Sequence, residues 1–207
     1  MAVTVKKKIQ SYGITVFLSA HPEIRRLKRD HYTAFHGNKF WTSSWLIMDF
    51  LKKQGLPDGT RVLEVGCGWG LAGIYCAKKH NALVTAVDID SEVFPYLQLH
   101  ADINRVQVKV LKKSFKGLSK MDLKGFDMII GADICFWDDM VNPLKNLVHR
   151  ALGTGLSRVL IADPGRPTFE ALGAHFVKKR GGKTLDWSVR RPRPIQGRIL
   201  SIGFPVE

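Results

Sequence analysis

Residues Arg61 to Asp90 read RVLEVGCGWGLAGIYCAKKHNALVTAVDID, with four glycines, Gly66, Gly68, Gly70 and Gly73, inside eight residues. An apolar run enters this cluster, a segment of helical length leaves it, and a second apolar run ends on Asp88 and Asp90. Glycines so spaced serve where backbone must turn sharply from strand to helix and approach a ligand closely. A strand, a glycine turn, a helix and a second strand make one βαβ unit, and such units build parallel sheets covered on both faces.

The rest of the chain repeats the pattern. Apolar runs at Arg61–Val65, Leu83–Val87, Val106–Leu111, Phe126–Ala132 and Arg158–Ala162 are rich in Val, Ile and Leu and bounded by Gly, Asp or Asn. Runs of that length suit strands buried on both faces. After Ala162 come a helix around Thr168–Lys179 and two strand-like pieces, Thr184–Arg190 and Arg198–Phe204, separated by the proline-rich RRPRPIQG. The expected fold is therefore a doubly wound, Rossmann-like α/β sheet, mostly parallel, with an antiparallel C-terminal hairpin. Pro22–His31 and Ser43–Gln54 are expected helices that cap the open side of a pocket. Residues 1–40 read as an N-terminal extension and 41–207 as the main domain.

At 207 residues one domain suffices to bury a large core. No apolar stretch approaches the roughly 20 residues that span a bilayer, so no membrane partner is expected. Three cysteines without C-x-x-C spacing argue against a disulfide framework or a zinc site and for a reducing compartment. Lys6–Lys8 ahead of IQSYGITVFLSA imitate a secretory signal, but Gln10, Ser11, Tyr12 and Gly13 interrupt the apolar run. The cytoplasm is the expected location, with the mitochondrion as alternative because no acid precedes Glu23. The formal charge of +14 attracts anionic partners: an acidic protein surface, or RNA. Aromatic residues do not interleave with the basic clusters, so charge alone does not establish nucleic-acid binding. Oligomeric state is not legible.

Two ligand classes fit the glycine turn. Gly68, Gly70 and Gly73 satisfy G-x-G-x-x-G, and Asp88 lies twenty residues past Gly68, as in nicotinamide-dinucleotide sites. Glu64 decides against that class. A pyrophosphate seats on a helix N-terminus, and a carboxylate beside it repels it. S-adenosylmethionine carries no phosphate, and its sulfonium and ammonium suit a carboxylate at the end of the first strand. Glu64, Gly66, Gly68 and Gly70 are thus expected to hold that cofactor, whose product is S-adenosylhomocysteine. Asp88 is expected to bind the ribose hydroxyls.

VLEVGCGWG and VTAVDID resemble the first two motifs of class I S-adenosylmethionine-dependent methyltransferases, and the element order is similar to their seven-stranded sheet. The resemblance implies contacts from Ile89, Ser114, Ala132 and Asp133, with Ser114 standing where relatives often place an adenine-contacting acid. Asp133 and Phe136 in GADICFW resemble the D-x-x-F motif of the family 16 methyltransferases, many of which modify protein lysines. KFWTSSWLI places Trp41 ahead of a helix as that family does. LIADPGRP is similar to the fifth-strand end of the electron-transfer-flavoprotein β-subunit lysine methyltransferases and their bacterial relatives. Lysine methylation on a protein is the implied activity. RNA or small-molecule methylation, and a non-catalytic cofactor-sensing or RNA-binding module, remain alternatives.

An amine attacks only when deprotonated, so an apolar slot from Trp41, Phe136 or Trp137 would help by desolvation and by cation–π contact with the product. A carboxylate alone raises an amine's pKa, so Asp133 reads as an orienter of the amine rather than a strong base, or else as a cap on the following turn. Trp41 has core packing as its other reading. Arg166 either reaches an acidic substrate or is a plain surface residue. Cys67 and Cys135 read as packing residues, and His31, His36 and His80 show no ligand spacing.

Overall fold

The computed structural model describes residues 6–33 and 37–205; His36 lies outside them. The elements are β1 (Lys8–Ser11), β2 (Ile14–Phe17), α1 (Pro22–Asp30), α2 (Ser43–Gln54), β3 (Arg61–Val65), α3 (Leu71–His80), β4 (Leu83–Asp88) and α4 (Phe94–Asn104). They continue with β5 (Lys109–Lys112), α5 (Lys120–Leu123), β6 (Met128–Ala132), α6 (Asp138–Leu152), β7 (Arg158–Asp163), α7 (Pro167–Arg180), β8 (Lys183–Val189) and β9 (Ile195–Ile202). Seven strands form one sheet in the order β5-β4-β3-β6-β7-β9-β8. All pairs from β5 to β7 are parallel, and β9 runs antiparallel between β7 and β8.

Alternation along each strand divides the core into two layers. Val62, Val84, Met128, Ile130 and Leu160 pack beneath α2, α3 and α4, whereas Leu63, Val65, Ile129, Val159 and Ile161 pack against α6 and α7. Strand order reverses between β3 and β6, so a crevice opens at the carboxyl ends of those two strands.

Two details depart from expectation. The strand expected at Val106–Leu111 begins only at Lys109, and all four of its residues are exposed. It is an edge strand paired with β4 alone, while Val106 and Val108 pack on the core from the preceding loop. An antiparallel hairpin, β1–β2, also occupies the segment read as an interrupted apolar run. Its tip residues Tyr12 and Gly13 both have positive φ, 52° and 76°, the backbone of a type I′ turn. The hairpin docks through side chains of α4. Thr15 N–H donates to Asn104 Oδ1 at 2.8 Å, Asn104 Nδ2 donates back to Thr15 O, and Phe17 N–H donates to His100 Nε2 at 3.1 Å.

Candidate active site

Four neighbouring parallel strands each end in, or carry near the end, an acid: Glu64 on β3, Asp88 on β4, Asp133 after β6 and Asp163 on β7. Glu64, Asp133 and Asp163 are buried, Asp88 partly so. A cavity of about 320 Å³ opens over Asp88 and Asp133, bounded also by Gly66, Gly68, Ile89, Ser114, Ala132, Trp41, Phe136 and Trp137. A further pocket of about 20 Å³ shares Trp41, Gly66, Gly68 and Ala132 and reaches Glu64 and Gly70. Its size suits one ammonium- or water-sized group.

The glycine loop is held from below and from the side. Gly68 has φ +51°, and a Cβ there would meet nothing within 4 Å, so its surface faces open space. Its N–H donates to Asp88 Oδ2 at 3.0 Å, and Asp90 N–H donates to Asp88 Oδ1 at 3.0 Å. Burial pushes the Asp88 carboxyl pKa up, against the backbone amides of Gly68, Asp90 and Ile89, and a carboxylate's four lone-pair sites leave room for a further donor. Glu64 reaches under the loop to the first turn of α3, where Gly73 N–H donates to Oε2 at 3.1 Å. A Cβ on Gly73 would lie 2.4 Å from that oxygen, which is why the third glycine is required. Burial pushes the Glu64 carboxyl up to about 8, against the amides of Gly73 and Ala72. The Ala72 and Gly73 amides at this helix N-terminus are thus engaged by the chain's own carboxyl group and are not offered to a pyrophosphate.

Trp69, which the sequence reading passed over, fixes the loop laterally. Its indole stacks on Tyr96 at 5.1 Å and on His100 at 5.2 Å, and its Nε1 donates to Gly37 O at 2.8 Å. An aromatic among the loop glycines was the available signal.

Asp133 holds the left-handed φ of 56°, a conformation unusual outside glycine and common where function demands strain. Its carboxylate accepts from Ser43 N–H at 3.1 Å, at the start of α2, and from Arg166 Nη1 at 3.0 Å. Burial pushes its pKa up, and Ser43 and Arg166 oppose that. Arg166 is not the plain surface residue that was one reading of it, since its side chain is paired with two buried acids. Its Nη1 also bonds Asp163 Oδ2 at 2.5 Å, and its guanidinium lies 4.2 Å from the Phe136 ring centroid. Asp163 was missed; an acid closing an apolar strand before Pro-Gly was its only mark. Asp163 Oδ1 accepts from the N–H groups of Gly165 and Arg166, closing a turn at Pro164–Gly165.

Trp41 and Phe136 meet edge to face at 4.8 Å and form one wall of the cavity. Lys39 Nζ lies 4.3 Å from the Trp41 ring. Thr168 Oγ1 donates to Cys135 O and so ties the Asp133–Phe136 turn to α7. Ile89 and Ser114 line the cavity's far side, and Ser114 also caps the short turn Phe115–Gly117. Cys67 and Cys135 are buried. His31 bonds Glu92 at 3.0 Å, and His80 packs on Tyr75. No group of three metal-ligating side chains occurs among the described residues.

This strand order, with its acid-lined glycine loop at the switch point, defines the chain as having the seven-strand methyltransferase fold. Solved structures agree on the fold. A methyltransferase from Pyrococcus furiosus superposes with a TM-score of 0.59 at 22% identity, covering 83% of this chain and 89% of that one. The Pyrococcus abyssi tRNA (uracil-54, C5)-methyltransferase in complex with S-adenosyl-L-homocysteine gives 0.57 at 19%, covering 95% and 43%. The lysine methyltransferase family model matches residues 23–178, and the chain belongs to that family. The human electron transfer flavoprotein beta subunit lysine methyltransferase is 23% identical over 159 residues, 74% of this chain and 59% of its own length. A histidine protein methyltransferase 1 homolog of Dictyostelium discoideum is 33% identical over 125 residues, covering 56% and 39%. The chain spans little more than half the length of the first of these and less of the second.

Proposed function

We propose that the chain transfers a methyl group from S-adenosylmethionine to a lysine side-chain amine of a protein. The observation that carries this reading is the row of four acids at adjacent strand ends, set in a chain of charge +14. In a chain that otherwise repels cations, Asp88 and Asp133 face the cavity and Glu64 can ionise as a cation arrives, and both the cofactor and a lysine arrive as cations.

The residues present fit the cofactor. Asp88 retains lone pairs for ribose hydroxyls, Ile89, Ser114 and Ala132 supply the adenosine surface, and the pocket against Glu64 admits an ammonium group. When bound, the cofactor supplies a methyl on cationic sulfur: the amine lone pair forms the N–C bond while the C–S electron pair returns to sulfur. Trp41 and Phe136 desolvate the acceptor and favour its neutral form. Asp133, beside them, orients the amine N–H and thereby its lone pair.

For the partner we propose an acidic protein surface. A groove of about 850 Å³ between the β1–β2 tip, α2, α3 and the end of β8 presents Lys52, Lys53, Lys79, Arg190 and Arg191. Asp49, the acid that lines it, is taken up by Lys53 at 2.9 Å, Tyr12 Oη and Trp187 Nε1. The cytoplasm suits three free, buried cysteines; no described helix is long and apolar enough to cross a membrane. Residues 1–40 act in this reading as a cap, from which Gly37 lines the cavity.

The test is to incubate purified protein and labelled S-adenosylmethionine with lysate from cells lacking it, then hydrolyse. Label in N-methyllysine is expected, with an apparent KM that climbs as salt screens the groove, the Debye length being about 10 Å at 0.1 M. Label in nuclease-sensitive material instead favours RNA.

Glu64 offers a second check. A cationic ligand favours its ionised form, so binding releases a proton wherever the free carboxyl is protonated, below about 8. Affinity for S-adenosylmethionine should therefore rise from pH 6.5 to 8.5, with calorimetric heats that depend on the buffer. Glu64→Gln keeps an acceptor for Gly73 N–H and should bind weakly with a flat profile. A flat profile in the native protein would detach Glu64 from the cofactor.

A further inference from the structure

We infer that Arg166 is a positioning residue that cancels the negative field of Asp133 and so lets the acceptor amine shed its proton near neutral pH. The inference rests on the proposed lysine acceptor. A carboxylate placed to orient an amine also stabilises its ammonium form, which cannot attack. The chain counters this with a guanidinium on the same carboxylate: Arg166 Nη1 lies 3.0 Å from Asp133 Oδ1 and 2.5 Å from Asp163 Oδ2. The arginine is permanently charged, and its guanidinium lies against the Phe136 ring that walls the proposed slot.

Its backbone is fixed to the same end. Arg166 N–H donates to Asp163 Oδ1 at 2.8 Å, and the following Pro167 holds Arg166 extended, at φ −64° and ψ 149°. Other charged groups face the same cavity: Asp88, Lys116 and Lys113, the last paired with Asp122, while Asp138 acts on the Cys135 thiol. The buried Cys135 thiol and Asp139 of α6 stand on one side, and Lys39 over the Trp41 ring on the other. Arg198 of β9 is engaged by Glu170 and Asp186. Two carboxylates thus share one guanidinium, and the incoming ammonium, which must lose its proton to solvent before attack, meets in Asp133, Asp163 and Arg166 a trio of formal charge −1 rather than the −2 of the two acids alone.

Two substitutions should move the acid limb of methyl transfer in opposite directions. Arg166→Gln removes the cation, so the midpoint of the single-turnover rate against pH should rise by about one to two pH units, while Arg166→Lys restores most of it. Asp163→Asn keeps an acceptor for the Gly165 and Arg166 amides but removes one negative charge, so its midpoint should fall. The assay is labelled methyl transfer to lysate protein across pH 6–10, scored as N-methyllysine. Opposite shifts support the assignment. A native midpoint in both variants, whatever their plateau rates, overturns it and leaves Arg166 as a brace for α7. If native protein forms no N-methyllysine, the lysine reading itself fails, and this inference with it.

Discussion

Replacing Asp133 with asparagine should slow single-turnover methyl transfer about a hundredfold or more while leaving S-adenosylmethionine affinity near native. Asparagine preserves the shape of the side chain and one acceptor oxygen, so it can still receive Ser43 N–H or Arg166 Nη1. It cannot receive both and also orient an amine. A reacting group displaced by about 1 Å typically loses that factor in rate. Asp133 is reached by α2 and by the turn before α7, not by the glycine loop, which is why binding and turnover should separate. Titration and single-turnover rates on one preparation are sufficient. A native rate in Asp133→Asn would leave the carboxylate with only its structural contacts to Ser43 and Arg166.

Asp88→Ala should weaken S-adenosylmethionine about ten- to hundredfold, towards the upper end. A charge-assisted hydrogen bond contributes about 1.5–3 kcal/mol. Here the same carboxylate also satisfies the N–H groups of Gly68 and Asp90, so alanine frees the loop as well as the ribose. Asp88→Asn should sit between alanine and native, because one oxygen remains. NAD should bind to none of these proteins, since Glu64 occupies the helix terminus a pyrophosphate needs. Calorimetric titration with both ligands decides it, and tight NAD binding by native protein would contradict the reading of Glu64.

What the sequence made legible was whatever is local. β3, β4, β6 and β7 lie within two residues of expectation at each end because strands buried on both faces leave a largely apolar run, broken in β3 by Arg61 and Glu64 and in β4 by Thr85 and the terminal Asp88. The glycine turn was readable because its φ values restrict residue type. β5 was misplaced because an edge strand need not be apolar, and KVLK carries lysines at both ends. The β1–β2 hairpin went unseen because its turn begins with a tyrosine, and because its partners are His100 and Asn104, more than eighty residues away. Arg166 and Asp163 were illegible for the same reason. Their roles depend on Asp133, thirty residues earlier in the chain and adjacent only once β6 and β7 pair.

The placement of β9 between β7 and β8 sets an order of assembly during translation. Until residues Ile195–Ile202 emerge from the ribosome, β7 stays an open edge whose Val159, Leu160 and Ile161 invite wrong pairing. β8 is synthesised earlier yet has no sheet partner until β9 inserts beside it. Asp163 pairs in register with Arg198, so the acid that shares Arg166 with Asp133 reaches its final surroundings last. A nascent chain halted before residue 195 would carry a complete glycine loop beside an unfinished acceptor end.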